Sequence, residues 1–161
     1  MKRRVVVTGI GALTPIGNNV NDTWKGILNH QCGIDLIQSF DTSNMKVKVA
    51  GELKNFEATE YLDKKDVRKM DKFIQYGLIA AKEAIKDSKL EIDSINHDRF
   101  GVVVSSGIGG LGSIEENHQR GLKKGFDRVS PYFIPMTIVN LAAGQIAIAF
   151  KAQGLATCPV T

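Results

Sequence analysis

The chain has 161 residues, of which 43% are hydrophobic and 24% are charged, and its net charge at pH 7 is +4. This composition supports one hydrophobic core in a single domain without an internal boundary, and no apolar run approaches the ~20 residues that span a bilayer. The two cysteines, Cys32 and Cys158, lie far apart without zinc-site spacing, so we expect both to be reduced in a cytoplasmic protein.

The first predicted element is a strand over residues 3–8. Its three consecutive valines, at residues 5–7, are typical of a strand that is covered on both faces. The following Gly9 and Gly11 also suggest a dinucleotide-binding turn. The third glycine of that fingerprint would fall at Thr14, however, and no acidic residue closes a second strand at the required distance. The nucleotide interpretation is therefore weak.

A helix is predicted next, capped by Asn21 or Asp22 and ending near His30. Three apolar residues of this helix have the 3-to-4 spacing of a buried stripe: Trp24, Ile27 and Leu28.

The rest of the chain alternates between predicted strands and helices. Strands are expected near residues 46–53, 100–105 and 155–161. Helices are expected over residues 65–88 and 137–152. Between them, a loop at 107–112 is expected to lead into a helix that carries Ile114. This alternation predicts the α/β class, with a largely parallel sheet covered on both faces.

The predicted helix over residues 65–88 has two chemically different sides. At about 100° per residue, its apolar residues cluster on one side: Val67, Met70, Ile74, Leu78, Ala81 and Ile85. Its basic residues cluster roughly opposite: Lys65, Arg68, Lys69 and Lys72. A solvated helix face explains such a cluster more often than a binding site does. A nucleic-acid surface would add planar aromatics or a reading helix, and neither pattern is visible.

A glycine-rich loop, Ser-Ser-Gly-Ile-Gly-Gly at residues 105–110, follows a predicted strand, where open α/β sheets often present ligand-facing loops. A flexible turn is the simpler interpretation, because glycines permit tight curvature in any loop. His30, His97 and His118 are isolated from other ligand types, so none is a catalytic candidate. Cys158 lies in an apolar strand without a cationic partner, which predicts a small buried residue.

Several longer segments carry a more specific signal. They read Val-Val-Val-Thr-Gly-Ile-Gly-Ala-Leu-Thr-Pro-Ile-Gly-Asn at residues 5–18, Arg-Lys-Met-Asp-Lys-Phe-Ile-Gln-Tyr-Gly at 68–77, and Pro-Tyr-Phe-Ile-Pro-Met-Thr-Ile-Val-Asn at 131–140. Together with the loop at 105–110, they resemble the β-ketoacyl-[acyl carrier protein] synthases, specifically the type II condensing enzymes of fatty acid synthesis. The resemblance implies a thiolase-like layered αβαβα fold, of which residues 1–161 form the first, incomplete half.

The last residues, Leu-Ala-Thr-Cys-Pro-Val-Thr at 155–161, resemble the family strand that delivers a nucleophilic cysteine in a Thr-Ala-Cys string. The resemblance implies that this cysteine comes two places after Thr161, so no catalytic residue is expected within the chain. The full-length enzyme would condense an acyl-enzyme with malonyl-[acyl carrier protein] by decarboxylation, without a metal or redox cofactor. The 161 residues alone are expected to be inactive.

The resemblance also implies roles for particular residues. Three basic residues would dock the acyl carrier protein: Lys65, Arg68 and Lys69. Three others would line the acyl-chain pocket: Gly107, Ile108 and Phe133. Of these, Ile108 would be the gate of the pocket, and Phe133 would be donated by the partner subunit of a homodimer. The implied partners are acyl- and malonyl-loaded carrier protein, with no nucleic acid and no membrane.

Two other functions remain open. A ketosynthase of polyketide assembly shares these motifs. A non-catalytic partner, either a chain-length subunit or a truncated product that binds the carrier, would lack the cysteine after Thr161.

Overall fold

The computed structural model describes residues 3–160. These residues form six α-helices: α1 (Val20–Leu28), α2 (Lys64–Val67), α3 (Lys72–Ser88), α4 (Leu111–Lys124), α5 (Phe133–Thr137) and α6 (Leu141–Ala149). They also form four short strands: β1 (Asp35–Leu36), β2 (Val49–Ala50), β3 (Val102–Val103) and β4 (Ala156–Thr157). Two compact units result, the first comprising residues up to Glu57 with Ala80–Lys89, and the second comprising Ala58–Ile79 with Leu90 onward. Helix α3 contributes to both.

In the first unit, two carboxylates of α3 hold an extended segment. Glu83 accepts hydrogen bonds from the backbone N–H groups of Ala12 and Val20, each at 2.9 Å. Asp87 accepts a hydrogen bond from the backbone N–H of Ile10, also at 2.9 Å. Because this segment has no strand partner in the first unit as described, these side chains supply acceptors that a sheet would otherwise provide.

The glycines of this segment allow it to approach the helix closely. A Cβ atom on Gly9 would overlap the carbonyl oxygen of Ala84, and one on Gly11 would overlap that of Ala80. The Gly-x-Gly pattern therefore serves backbone packing against α3, and this contact explains it without a nucleotide.

The prediction of a buried strand over residues 3–8 is wrong for the described residues. Val5, Val6 and Val7 are 91%, 59% and 80% exposed, and no strand within residues 3–160 pairs with them. Valine favours the extended backbone, but a strand exists only where a neighbour completes its hydrogen bonds.

Helix α1 begins earlier than predicted and packs on a different side. Its N-cap is Asn19, whose side chain accepts a 2.8 Å hydrogen bond from the N–H of Asp22, so capping by Asn21 or Asp22 is wrong. The buried residue is Gly26, which lies against Ile16. The predicted buried stripe is exposed instead: Trp24, Ile27 and Leu28.

Strands β1 and β2 form an antiparallel pair in the first unit. Asp35 lies opposite Ala50, and Leu36 lies opposite Val49. The predicted strand over residues 46–53 is thus confirmed only at its centre, and the expected parallel arrangement is wrong for this unit, since no helix lies between these two strands to carry the chain back to the same end of the sheet.

The second unit contains a parallel strand pair covered by α6. Val102 lies opposite Ala156 and Val103 opposite Thr157, as expected for strands joined through helices. Helix α6 packs on both strands. The buried apolar residues of this unit form one core: Ala58, Leu62, Met70, Ile74, Leu78, Ile79, Val102, Ala142, Ala143 and Ile146. The predicted last strand ends at Thr161, which lies outside the described residues.

Two predicted helices differ from the observed ones. The helix expected over residues 65–88 is divided into α2 and α3. The helix expected over 137–152 is shortened to α6, and α5 ends at the first residue of that range. The helix that carries Ile114 is confirmed as α4, but it begins at Leu111, so the loop expected over residues 107–112 ends two residues earlier than predicted. Among residues 3–160, no helix combines the length and the apolar character needed to cross a bilayer.

We expect Gly11→Ala to lower the free energy of unfolding by about 1–3 kcal/mol, because the added methyl group would overlap the Ala80 carbonyl and force the segment away from α3. Urea unfolding of the two proteins measures the difference.

Gly112→Ala is the matched control. Gly112 lies inside α4 with open space around the Cβ position, so alanine there should raise stability by about 0.5–1 kcal/mol. Equal effects of the two substitutions would contradict the packing role of Gly11.

Candidate functional site

The three basic residues assigned to docking lie on one exposed stretch of the second unit. Lys65 is in α2, Arg68 is the C-cap of that helix, and Lys69 follows it. All three are exposed, as is Lys72 at the start of α3. The apolar residues predicted for the opposite side are buried or half-buried: Val67, Met70, Ile74, Leu78, Ala81 and Ile85. The predicted separation into two sides is therefore confirmed despite the break in the helix.

The break between α2 and α3 is fixed by a buried glutamine. Gln75 is 8% exposed, and its side-chain amide donates to the carbonyl oxygens of Val67 at 3.1 Å and Met70 at 2.8 Å. The Val67 carbonyl, at the end of α2, also accepts the N–H of Met70 at 3.4 Å, whereas the Met70 carbonyl ends the turn after α2. Sequence reasoning missed Gln75, although a polar residue beside the apolar stripe was a usable signal.

Asp71 joins the start of α3 to the start of α4. One carboxylate oxygen accepts from the N–H of Phe73 at 3.3 Å. The other accepts from Ser113, from its N–H at 3.2 Å and from its hydroxyl at 2.5 Å. Sequence reasoning missed this residue too. An aspartate just before a helical run is a typical N-cap signal, but its second partner is 42 residues away.

The loop at residues 105–110 is held against the end of α5. The N–H of Gly110 donates to the carbonyl oxygen of Thr137 at 3.1 Å, and a Cβ on Gly109, whose φ is 81°, would overlap that same oxygen. Gly107 by contrast has nothing within 4 Å of its Cβ position, and Ile108 is 66% exposed. The loop is therefore anchored at its end and open at Gly107 and Ile108.

Phe133 is half-buried at the first position of α5. The segment before it is tied to α4 by Asn117, which is 3% exposed. The Asn117 side-chain oxygen accepts from the N–H of Ser130 at 2.9 Å, and its amide donates to the carbonyl of Ser113 at 2.8 Å. Phe133 then donates its N–H to the Ser130 carbonyl at 2.9 Å.

The structure thus joins the predicted site residues through shared supports. Asp71 links the basic stretch to α4, and α4 in turn holds the segment that starts α5. The loop bearing Ile108 contacts the end of α5, whereas Phe133 lies at its beginning, about 6 Å away along the helix axis.

The basic residues of this stretch differ in the charged and aromatic groups that surround them. Lys69 lies 3.9 Å from the carboxylate of Asp66, and its ammonium lies 5.7 Å from the centre of the Tyr132 ring. Among residues 3–160, Lys65 and Arg68 make no ion pair. Residues 64–72 contain five basic and two acidic residues, and the Asp71 carboxylate is already engaged by hydrogen bonds. The stretch therefore presents a positive surface.

The remaining candidates have local roles. The Nδ1 atom of His97 lies 2.8 Å from the carbonyl oxygen of Lys151. Cys158 follows β4 and is half-buried, so it is less buried than predicted, and Cys32 is exposed.

Comparison with known sequences gives a consistent result. The family described as "Beta-ketoacyl synthase, N-terminal domain" matches residues 2–161. The chain is 52% identical over 147 residues to 3-oxoacyl-[acyl-carrier-protein] synthase 2 of Vibrio cholerae, and 49% identical over 152 residues to that of Staphylococcus aureus. These alignments cover 91% and 94% of this chain but only 36% and 37% of the relatives. The chain therefore spans little more than a third of the length of these curated relatives.

Solved structures share the fold. A chain of a solved complex, described as a type II polyketide synthase acyl-carrier protein in complex with its ketosynthase bound to the hexaketide, matches with TM-score 0.79 and 27% identity, over 100% of this chain and 44% of that chain. The ishigamide ketosynthase/chain length factor matches with TM-score 0.86 and 25% identity, over 100% and 40%. A β-ketoacyl synthase from Burkholderia phymatum, 20% identical with TM-score 0.79, supports the fold alone. The predicted thiolase-like α/β class is confirmed.

We expect Gln75→Leu to lower the free energy of unfolding by about 1–3 kcal/mol, because the buried Met70 carbonyl loses its side-chain donor and the Val67 carbonyl loses one of its two hydrogen bonds. Chemical unfolding measures the change. Gln119→Leu, on the exposed side of α4, is the control and should change stability by no more than about 0.5 kcal/mol. Wild-type stability in the Gln75 variant would contradict the role of this side chain.

Proposed function

The chain belongs to the β-ketoacyl synthase family, through that family's N-terminal domain, and from this premise we propose that its full-length protein is a 3-oxoacyl-[acyl carrier protein] synthase of fatty acid biosynthesis. Identity of about half to relatives with that name supports the reaction class. The observation that carries the proposal is the positive stretch at Lys65, Arg68 and Lys69, held by Asp71 to the helix that supports the start of α5.

The proposed reaction joins two acyl groups. A cysteine thiolate accepts the acyl group from the carrier, whose thiol leaves. Malonyl-carrier then loses carbon dioxide, and the resulting carbanion attacks the thioester carbon and releases the cysteine thiolate. Backbone N–H groups stabilise the oxyanion in both steps. By resemblance, the cysteine comes two places after Thr161, and the 161 residues contribute docking and pocket residues.

Docking is assigned to the basic stretch. Acyl carrier protein is acidic, so a positive surface both accelerates encounter and fixes its orientation. Lys65 and Arg68 make no ion pair among residues 3–160, which leaves their charges available to a partner. The polyketide ketosynthase that shares this fold is itself bound to a carrier protein.

The pocket is assigned to Gly107, Ile108 and Phe133, the last of these reaching the pocket of the partner subunit in a homodimer. Their local setting supports this assignment: Ile108 is exposed on an anchored loop, and Phe133 is half-buried on a helix that the loop contacts. An alkyl chain is bound by burial of apolar surface, for which aliphatic and aromatic walls are suited. We place the enzyme in the cytoplasm, without nucleic acid or membrane partners.

A polyketide ketosynthase or chain-length subunit is the alternative, because two such proteins share the fold. Their identities of 27% and 25% are about half of the identity to the fatty acid enzymes, which favours fatty acid synthesis. A peptide map of the natural protein beyond Thr161 separates an enzyme from a non-catalytic subunit, since only the enzyme has Ala-Cys next.

Reversal of the docking charges tests the proposal directly. In the full-length enzyme, a triple variant with Lys65→Glu, Arg68→Glu and Lys69→Glu should weaken acyl carrier protein binding by about ten-fold or more at low salt, because attraction becomes repulsion. Alkylation of the nucleophilic cysteine should be unchanged. Titration of labelled carrier protein measures the dissociation constant.

The control triple, Lys46→Glu, Lys48→Glu and Lys86→Glu, makes the same change in net charge at other exposed positions. If both triples weaken binding equally, the effect is one of total charge, and the docking assignment fails.

Ile108→Phe should shift selectivity toward shorter acyl chains. Each methylene that the larger side chain excludes loses about 0.8 kcal/mol of burial, or about four-fold in affinity. The kcat/KM values for short and long acyl carriers measure the shift. Ile34→Phe is the control, since Ile34 is similarly exposed, at 63%, but lies in the first unit. Unchanged selectivity in the Ile108 variant would remove this residue from the pocket.

A further inference from the structure

We propose that Tyr132 is a positioning residue for carrier docking: its ring holds the Lys69 ammonium in place without neutralising it. This inference rests on the proposed function, and it adds a residue to which sequence reasoning assigned no role. The observation is that Lys69 Nζ lies 5.7 Å from the ring centre, within the range of a cation–π interaction.

The support under Lys69 is firmly fixed. Tyr132 precedes the first residue of α5, and its carbonyl oxygen accepts the N–H of Met136 at 2.9 Å. Its own N–H donates to the Ser130 hydroxyl at 3.1 Å, and the backbone of Ser130 is bound to the buried Asn117 at 2.9 Å. The backbone that carries the ring is therefore hydrogen-bonded to residues of both α4 and α5.

The ring differs from a carboxylate in its effect on the charge. Asp66, 3.9 Å from the same ammonium, attracts Lys69 but opposes its field. An aromatic face attracts a cation through its quadrupole and carries no net charge. Tyr132 thus restrains Lys69 without itself reducing the charge that Lys69 presents to an acidic partner.

Holding the side chain also reduces the cost of binding. A free lysine loses rotamer freedom when it is immobilised at an interface, whereas a lysine already restrained loses less. Lys69 is 45% exposed at its side chain, and Tyr132 is 42% exposed, so both remain accessible to a partner. Among residues 3–160, neither Lys65 nor Arg68 has an aromatic support of this kind.

The position of Tyr132 also connects docking to the segment that bears Phe133. Its neighbour Phe133 is the residue assigned to the acyl pocket of the partner subunit, and both belong to the segment that Asn117 ties to α4. A carrier held at Lys69 is thereby placed beside the backbone that positions Phe133.

A double-mutant cycle in the full-length enzyme tests the proposal, with octanoyl-loaded acyl carrier protein as the probe. Tyr132→Leu should raise the dissociation constant by about three-fold, the size of an exposed cation–π interaction, and should raise KM with little change in kcat. Tyr132→Phe keeps the ring and should bind as the wild type does. In a Lys69→Ala background, Tyr132→Leu should have no further effect.

A second donor separates positioning from structural damage. With octanoyl-pantetheine, which lacks the acidic protein, Tyr132→Leu should react as the wild type does. An equal loss with this donor, an equal loss in the Lys69→Ala background, or the same loss in Tyr132→Phe would each overturn the proposal. If Lys69→Glu leaves carrier binding unchanged, the docking surface itself fails. If Lys69→Glu weakens binding but Tyr132→Leu does not, only the role of Tyr132 fails.

Discussion

The Asp71 carboxylate joins the beginnings of two helices, and the arrangement of the candidate site depends on that junction. One oxygen caps α3 at Phe73, while the other accepts two hydrogen bonds from Ser113 in the first turn of α4. A carboxylate suits both positions, because the free N–H groups of a helix N-terminus carry partial positive charge. The basic stretch before α3 and the glycine-rich loop before α4 therefore both end at the junction that Asp71 forms.

Buried polar side chains also form hydrogen bonds to the backbone elsewhere in the second unit. Gln75 binds the carbonyls of Val67 and Met70, and Asn117 binds the segment that begins α5. Polar groups of the backbone outside regular helices and strands need partners, and here side chains provide several of them. The surfaces assigned to the carrier and to the acyl chain therefore lie beside backbone that side chains hold in place.

Sequence reasoning predicted the chemistry of these segments better than their backbone. Burial of Met70 and Ile74 opposite exposed lysines follows from helical periodicity, which the break after Arg68 leaves largely intact. The break itself depends on Gln75 reaching back to Val67, a contact that no spacing rule contains. The family and the fold class were predictable because several long motifs occur in order. The strand at residues 3–8 was not, because pairing depends on a neighbour and not on valine alone.

The glycine-rich loop combines constrained and free positions within four residues. Gly109 and Gly110 lie against the backbone at the end of α5, where any side chain would collide with a carbonyl oxygen. Gly107 meets no atom within 4 Å at its Cβ position. Mutations at this position therefore encounter no steric penalty from residues 3–160, while the loop keeps its anchor. A bulkier residue at position 107 therefore adds to the exposed part of the loop beside Ile108, while the backbone contacts of Gly109 and Gly110 stay in place.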